Sequence, residues 1–232
     1  MSSLETNDIE DKYVHAVYKQ IANHFDETRV AHWDEVKKYI NSLPTNCLVG
    51  DLGCGNGKNM LIRQDLRYKG SDMCDQFVQI CLNKKLDCRL GNLKNLPFNN
   101  NEFDHSICIA VIHHLATEDN RIRAIQELVR VTRNQGTIMI QVWANLGKNQ
   151  KNEQDRLTDW KLTKKHNQLN PEQTATYSRY YHYFNENELE NICQKAGNVI
   201  IIRSFLTCGN YGVILKVNKS ENTPVLDSVR LM

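Results

Sequence analysis

The chain has 232 residues, 41% of them hydrophobic and 24% charged, a composition typical of one soluble globular domain and unlike a disordered or collagen-like chain. Its 29 basic and 27 acidic residues leave a formal net charge of +2, too little to bind nucleic acid through bulk charge alone. The longest apolar run, 107–112, is far shorter than the roughly 20 residues of a membrane span, and the polar start is unlike a signal peptide. We therefore expect a cytoplasmic or nuclear protein that does not bind membranes.

The chain begins with two predicted helices that form a cap. Apolar side chains recur every four positions in residues 10–25, at Tyr13, Val17, Ile21 and Phe25. A second, shorter apolar face ends before Pro44 and comprises Trp33, Val36, Tyr39 and Ile40. Residues 1–44 are therefore interpreted as a helical cap.

Short apolar strands then alternate with helices. The predicted strands are 47–51, 68–72, 88–90, 103–111 and 137–143, and the helical patterns between them include 76–84 and 121–131. A polar segment, 146–178, is predicted to be a substrate loop or lid. A helix over 186–196 and a hairpin of 199–205 with 211–217 follow, and 219–232 is predicted to be a flexible tail.

This order predicts an α/β fold with a seven-stranded, mostly parallel sheet and a terminal antiparallel hairpin, the layout of class I methyltransferases. We expect one domain over 1–218, with a cofactor-binding core at 45–145 and the C-terminal helix and hairpin at 179–218. The eight cysteines include no CxxC pair and no histidine at zinc-ligand spacing, so we expect reduced, mostly buried thiols and no metal.

The first strand ends in the glycine-rich sequence DLGCGNG at 51–57, where the backbone can turn tightly and approach a ligand. Alone, it could be a plain strand-to-helix turn. Asp72 ends the second strand, where a carboxylate can accept both hydrogen bonds of a ribose diol or simply close a turn. Together the two features favour an adenosine ligand.

The glycine sequence resembles the first motif of S-adenosylmethionine-dependent methyltransferases more than that of nicotinamide-dependent dehydrogenases. NLPF at 95–98 and EFD at 102–104 are also typical of that class. The resemblance implies that S-adenosylmethionine is bound by Asp51, Gly53, Cys54, Gly55, Gly57, Asp72, Met73, Asn92, Leu93 and Ala110.

Four further segments resemble the eukaryotic tRNA wobble-uridine carboxymethyl methyltransferase family. They are YVHAVY at 13–18 with HFDETR at 24–29, IAVIHH at 109–114, VWA at 142–144, and RYYH at 179–182 with ELE at 188–190. The resemblance implies methyl esterification of 5-carboxymethyluridine in the anticodon loop of tRNA, together with a small zinc-binding activator subunit. Asn92 stands where relatives usually carry Asp, and the basic insertion of some relatives is short here, with DRLTDW at 155–160.

A carboxylate substrate is ionised at pH 7, so its methylation requires alignment more than a strong base. Arg29 and Arg179 are the candidates to hold it, with exposed ion pairing as the alternative. His113 and His114 follow the strand 103–111, and one of them is expected to orient the base while the other is structural. The resemblance slightly favours His114 for the base.

Substrate stacking is predicted for an aromatic set that could equally belong to the core or to a sheet edge: Trp143, Tyr180, Tyr181 and His182. A basic set could line a phosphate track or form a solvated loop: Lys148, Lys151, Arg156, Lys161, Lys164 and Lys165. Two other functions remain open at this point, a small-molecule carboxyl or amine methyltransferase and a cofactor-binding scaffold without activity. The short strand 87–90, near an expected sheet edge, could receive a strand from a partner.

Overall fold

The computed structural model describes residues 8–147, 153–166 and 174–219, and its centre is a seven-stranded sheet in the order β3-β2-β1-β4-β5-β9-β8. The first five strands are parallel, and β9 and β8 are antiparallel additions. Their bounds are β1 Leu48–Leu52, β2 Arg67–Asp72, β3 Cys88–Leu90, β4 Phe103–Ile109, β5 Thr132–Trp143, β8 Val199–Thr207 and β9 Asn210–Val217. The predicted class I methyltransferase topology is confirmed.

Helices cover both faces of this sheet. One face packs against α4, Glu118–Val131, and α5, Glu188–Ala196, through a core that includes Leu128 and Ile192. The other face packs against α2, Asp34–Ser42, through Val36 and Ile40. A third helix, α3 at Asp75–Asn83, packs beside β3. Burial on both faces explains the mostly apolar character of β1 and of the second half of β5, whereas β2 and β3, toward the sheet edge, carry exposed polar residues.

The N-terminal cap is a helix, α1 at Ala16–Thr28, preceded by a π-helical turn at Asp11–His15. Glu10, which is only 2% exposed, precedes this turn and connects the cap to the sheet domain. The Glu10 carboxylate accepts hydrogen bonds from Lys94 Nζ at 2.8 Å, Ala116 N at 2.9 Å and Asn120 Nδ2 at 2.8 Å. Because these contacts satisfy a buried charge, they hold the cap in one position over the sheet.

The segment 146–178 is not a loop throughout, which corrects the prediction. It contains β6, Asp155–Leu162, and the start of β7, Ala175–His182, paired as an antiparallel hairpin. Trp160 and Leu162 are buried against α1. The polar residues Arg156 and Thr158 occupy inward positions of β6 ahead of Trp160 and Leu162, so the sequence does not show the polar–apolar alternation that a half-buried strand usually has.

Three smaller boundaries differ from the sequence prediction. β4 ends at Ile109 instead of residue 111, because Ala110 adopts a left-handed φ of 60° that breaks the strand. β5 begins five residues earlier than predicted, at Thr132, and the pairing register with β4 shifts between Phe103 and His105. Lys148, Lys151 and the predicted tail from residue 220 onward lie outside the described residues. None of the described helices combines the length and apolar character needed to cross a membrane.

Candidate active site

A cleft of about 370 Å³ opens at the carboxyl ends of β1, β2, β4 and β5, beneath the α1 cap. Ligands of open α/β sheets bind at this edge, because loops that leave adjacent strands surround it. Most of the predicted residues are brought together in the cleft: Arg29, Gly53, Cys54, Gly55, Asp72, Met73, Asn92, Leu93, Ala110, His113, His114, Trp143, Arg179 and Tyr181.

Asp72 organises the cofactor half of the cleft. Its Oδ2 accepts a hydrogen bond from Gly55 N at 2.8 Å and its Oδ1 accepts one from Cys74 N at 2.9 Å. Burial raises the pKa of Asp72 to about 6, although these two N–H donors oppose the shift. The carboxyl is thus ionised at neutral pH and retains lone pairs for two hydroxyl donors.

The turn above β1 leaves space for a ligand. Gly55 adopts φ +53°, and a Cβ there would meet only the Phe25 ring, at 3.8 Å, so a side chain would project into the cleft. The buried Ser71 Oγ, also in the lining, has no hydrogen-bond partner among the described residues. A ligand with hydroxyl and amine groups would satisfy such atoms, so this half of the cleft fits the predicted cofactor.

Two predicted cofactor residues do not line the cleft. Asp51 is 1% exposed beneath the turn, where burial raises its pKa to about 8 and leaves its Oδ2 without a partner in the described chain. Gly57 faces the protein interior, because a Cβ there would lie 2.5 Å from Leu86 Cδ1 and 2.9 Å from Cys81 Sγ. Both residues lie below the turn and outside the cleft lining, and their assignment as cofactor contacts stays a prediction.

Arg179 occupies the substrate half. It is 5% exposed, yet no acidic side chain of the described residues pairs with it. Within the described parts of the chain, its Nε is buried without a hydrogen-bond partner, and the one hydrogen bond of its side chain, from Nη1 to Tyr18 Oη, is long at 3.5 Å. A buried guanidinium without a counter-ion is costly, so the position favours an anionic ligand.

Both predicted arginines contact one aromatic ring. The guanidinium carbons of Arg29 and Arg179 lie 4.8 Å and 4.7 Å from the Trp160 ring centroid. Trp160 is fixed in turn by a hydrogen bond from its Nε1 to His24 Nδ1 at 3.0 Å. Cation–π contact therefore orients two positive charges toward one region of the cleft.

The paired histidines both lie in the cleft wall, in a 3₁₀ turn at Ile112–His114. His114 Nε2 contacts Tyr18 Oη at 2.9 Å and its Nδ1 contacts the Tyr180 carbonyl at 2.8 Å, which assigns the proton of the neutral ring to Nδ1. His113 Nδ1 accepts from Trp143 N at 3.2 Å. Burial lowers the pKa of His114 to about 3 and that of His113 well below its ordinary value.

Both rings are consequently neutral at physiological pH, which suits positioning better than proton transfer. The resemblance-based preference for His114 as the residue that faces the base stays a prediction.

The aromatic set divides according to the alternation of β7. Tyr181 stacks on Trp143, with ring centroids 4.2 Å apart and an interplanar angle of 2°, and both line the cleft. Tyr180 and His182 point to the other side of the strand, which corrects their prediction as substrate contacts. Tyr180 Oη donates to Asp155, whereas His182 bridges Asp155 at 2.8 Å and Glu188 at 2.6 Å.

Two residues of the basic set have partners within the fold. Lys165 pairs with Glu27 at 3.1 Å, and Arg156 lies 4.3 Å from the Tyr183 ring centroid. A phosphate track through this set stays a prediction.

The cap contributes cleft residues that the sequence analysis did not predict as site residues, notably His15, Tyr18 and Phe25. Tyr18 connects His114 to Arg179, and the Phe25 ring closes over the glycine turn. The helical periodicity predicted that α1 has an apolar face, but that face serves both the core and the cleft. The one sequence signal that pointed to a functional role for Tyr18 and Phe25 was that both lie in segments that resemble the methyltransferase family.

Comparisons with known proteins agree with this geometry. A family described as Methyltransferase domain matches residues 50–140. The chain is 33% identical to the tRNA (carboxymethyluridine(34)-5-O)-methyltransferase of Schizosaccharomyces pombe over 225 residues, which cover 90% of this chain and 98% of that protein. It is also 33% identical to the Xenopus tropicalis tRNA (carboxymethyluridine(34)-5-O)-methyltransferase alkbh8, but there it spans 42% of the relative's length.

The fold also resembles solved structures. One is a Haloferax volcanii complex between the Trm112 methyltransferase activator and a methyltransferase. It matches with a TM-score of 0.62 and 14% identity, covering 89% of this chain and 99% of that one. At this identity the match shows the fold alone.

Proposed function

Because the chain belongs to the tRNA (carboxymethyluridine(34)-5-O)-methyltransferase family, we propose that it esterifies the carboxylate of 5-carboxymethyluridine at the wobble position of tRNA. The observation that carries this proposal is the buried, unpaired guanidinium of Arg179 in the cleft. A carboxylate is the anion whose geometry matches the guanidinium fork. The anticodon loop can supply it on an unpaired base.

S-adenosylmethionine supplies the electrophilic methyl group when it is bound. The residues that would hold it are Asp72 at the ribose, the backbone of Gly53 and Gly55 beside its methionine part, and Asn92 with Leu93 beside the adenine. Asn92 can still accept a hydrogen bond through its side-chain oxygen, although Lys94 N already donates to that atom at 2.9 Å.

The residues of the substrate half orient the nucleophile. Arg179 and Arg29 bind the ionised carboxylate, and the stacked pair of Trp143 and Tyr181 forms an aromatic wall for the base. His114 holds Tyr18 in place, and no residue has to remove a proton because the acid is already ionised. Rate enhancement therefore comes from the orientation of the carboxylate toward the methyl group.

Single-turnover methylation tests the proposal, with an anticodon stem-loop that carries 5-carboxymethyluridine as substrate and the chain together with its activator as enzyme. The matched control RNA carries 5-carbamoylmethyluridine, which has the same shape but no charge. We expect transfer only to the acid, and weaker competition by the amide. No transfer to the acid, or equal competition by the amide, contradicts the proposed substrate.

A small zinc-binding activator is the partner that we propose, docked on β3. This strand is one edge of the sheet, only three residues long, and Leu90 is 59% exposed on it. An unpaired edge accepts a further strand. Leu90→Arg should abolish co-purification with the activator, whereas Leu206→Arg on the opposite edge, at a residue 53% exposed, should not. Equal effects of the two variants argue against this edge.

A further inference from the structure

Three buried thiols that the proposed reaction does not use meet below the cofactor turn. Cys54 belongs to that turn, Cys81 to α3 and Cys88 to β3, and their Sγ atoms all lie within 4.8 Å of one another. Cys54 Sγ and Cys88 Sγ are the near pair, at 3.3 Å. The fold thus assembles a cluster that the separation of these cysteines in the sequence does not predict.

A glycine in the intervening strand makes this contact possible. Gly70 in β2 pairs with Cys88 in β3, and a Cβ at Gly70 would lie 3.0 Å from Cys54 Sγ. The Cys54 side chain therefore passes over β2 in the space that a larger residue would fill. A bond between the two sulfurs would tie the cofactor turn to the edge strand across β2.

We infer that Cys54 and Cys88 are a site of reversible oxidation, in which hydrogen peroxide that enters through the cleft converts the pair to a disulfide. Cys54 lines the cleft, so a small oxidant reaches the pair from there. The thiolate of one cysteine attacks a peroxide oxygen, the O–O bond breaks to give a sulfenic acid, and the leaving hydroxide takes the proton of the other thiol to form water. The second sulfur, now a thiolate, attacks the sulfenic sulfur, the S–O bond breaks, and the hydroxide that leaves is protonated by solvent.

The electrostatic surroundings favour a disulfide over a bound metal. Three thiolates around a divalent cation would leave a buried net negative charge close to the ionised carboxylate of Asp72. Contacts with Cys81 and Cys88 raise the pKa of Cys54, and Asp72 adds to that shift. A disulfide is neutral and has no such cost. Hydrogen bonds from Cys54 and Cys81 lower the pKa of Cys88, which provides the thiolate that the chemistry needs.

Oxidation and cofactor binding should oppose each other, a consequence that rests on the proposed function whereas the disulfide itself does not. Bond formation draws the sulfurs from 3.3 Å to about 2.05 Å. The glycine turn must move together with Cys54. Gly55 in that turn donates a hydrogen bond to the carboxylate of Asp72 that would hold the ribose. By reciprocity, a saturating cofactor shifts the thiol–disulfide equilibrium toward the thiols by the same factor by which the disulfide weakens cofactor binding.

The test uses the full chain with Cys208→Ser, because Cys208 is the exposed thiol of the described cysteines and would cross-link molecules. The protein is treated with hydrogen peroxide, free thiols are alkylated, and peptides are mapped by mass spectrometry without reduction. We expect a Cys54–Cys88 linked peptide that dithiothreitol removes. Cys88→Ser should abolish it, and Cys47→Ser, at a buried cysteine under α2, should not.

Cofactor linkage is measured with S-adenosylhomocysteine, by calorimetry and by the thiol–disulfide equilibrium in a glutathione redox buffer. The oxidised protein should bind it at least about fivefold more weakly, and a saturating concentration should shift that equilibrium toward the thiols by the same factor. A disulfide between other cysteines, no disulfide in the wild-type pair, or a stoichiometric metal that protects the three thiols overturns the inference. Those results come from mapping and metal analysis alone, so they are distinguishable from failure of the proposed methyl transfer.

Discussion

Replacement of Arg179 by Met is the most direct perturbation of the proposed substrate site. Its Nε has no partner and its contact with Tyr18 is long, so the guanidinium fork is available for a carboxylate. Two charge-assisted hydrogen bonds of about 1.5 kcal/mol each make a loss of about 3 kcal/mol, or roughly 150-fold in single-turnover rate at subsaturating RNA. Arg179→Lys keeps the charge and one bond, so its loss should be about tenfold.

The same variant should not weaken the fold. Since Arg179 is buried without a counter-ion in the free protein, Met at this position removes a desolvation cost and should leave the thermal midpoint equal or higher. Arg203→Met is the matched control, because Arg203 also stacks on an aromatic ring, at 4.9 Å from the Phe205 centroid, but lies on the edge strand β8. Wild-type rates for Arg179→Met would refute the reasoning, as would a midpoint several degrees lower, because the arginine would then hold the fold and not the substrate.

Three further predictions concern other parts of the cleft and its supports. Asp72→Asn should weaken S-adenosylhomocysteine binding about tenfold by calorimetry, and wild-type affinity should fall as the pH drops through about 6, where the carboxyl takes up a proton. Unchanged affinity would exclude a ribose contact. Tyr18→Phe should lower the single-turnover rate severalfold at saturating RNA with cofactor affinity unchanged, since only the phenol that joins His114 to the arginine is lost; a change in cofactor affinity alone contradicts this role. Burial lowers the pKa of His182, but the hydrogen bonds that its ring donates to the Asp155 and Glu188 carboxylates raise it above its ordinary value. Its stabilising effect is therefore full below pH 6.5 and is lost as the pH rises through the raised pKa. The difference in thermal midpoint between wild type and His182→Gln should therefore shrink from pH 6 to pH 9. A constant difference would argue against ion pairs between a protonated His182 and the two carboxylates.

The central strands β1 and β5 were predictable because their buried segments are mostly apolar. The β6–β7 hairpin was not, because the exposed positions of β6 include Asp159 and Lys161, while its buried contacts, Trp160 and Leu162, are made with α1 at the other end of the chain. Local periodicity does not reveal a partner that distant in sequence.

In the candidate site, too, the features that depend on nearby residues were predictable, and those that depend on an unpredicted strand were not. The glycine turn and Asp72 form their hydrogen bonds within about 20 residues, so their spacing alone indicated a ligand. The sequence analysis grouped Tyr180 and His182 with Tyr181 because it did not predict β7 as a strand. Once the strand is known, alternation places Arg179 and Tyr181 together on the cleft side.

In the proposed reaction, the unpaired charge of Arg179 also gives the cleft a means to distinguish substrate from product. The carboxylate of the acid neutralises the guanidinium, whereas the methyl ester carries no charge and offers only weaker acceptors. Methyl transfer thus restores the costly unpaired cation, and product affinity falls by the same charge-assisted bonds that held the acid, about 1.5 kcal/mol each. A counter-ion within the protein would remove this difference, because the carboxylate would then have to displace a partner already in place. The absence of an acidic partner for Arg179 among the described residues is therefore what allows the cleft to hold the acid and release the ester.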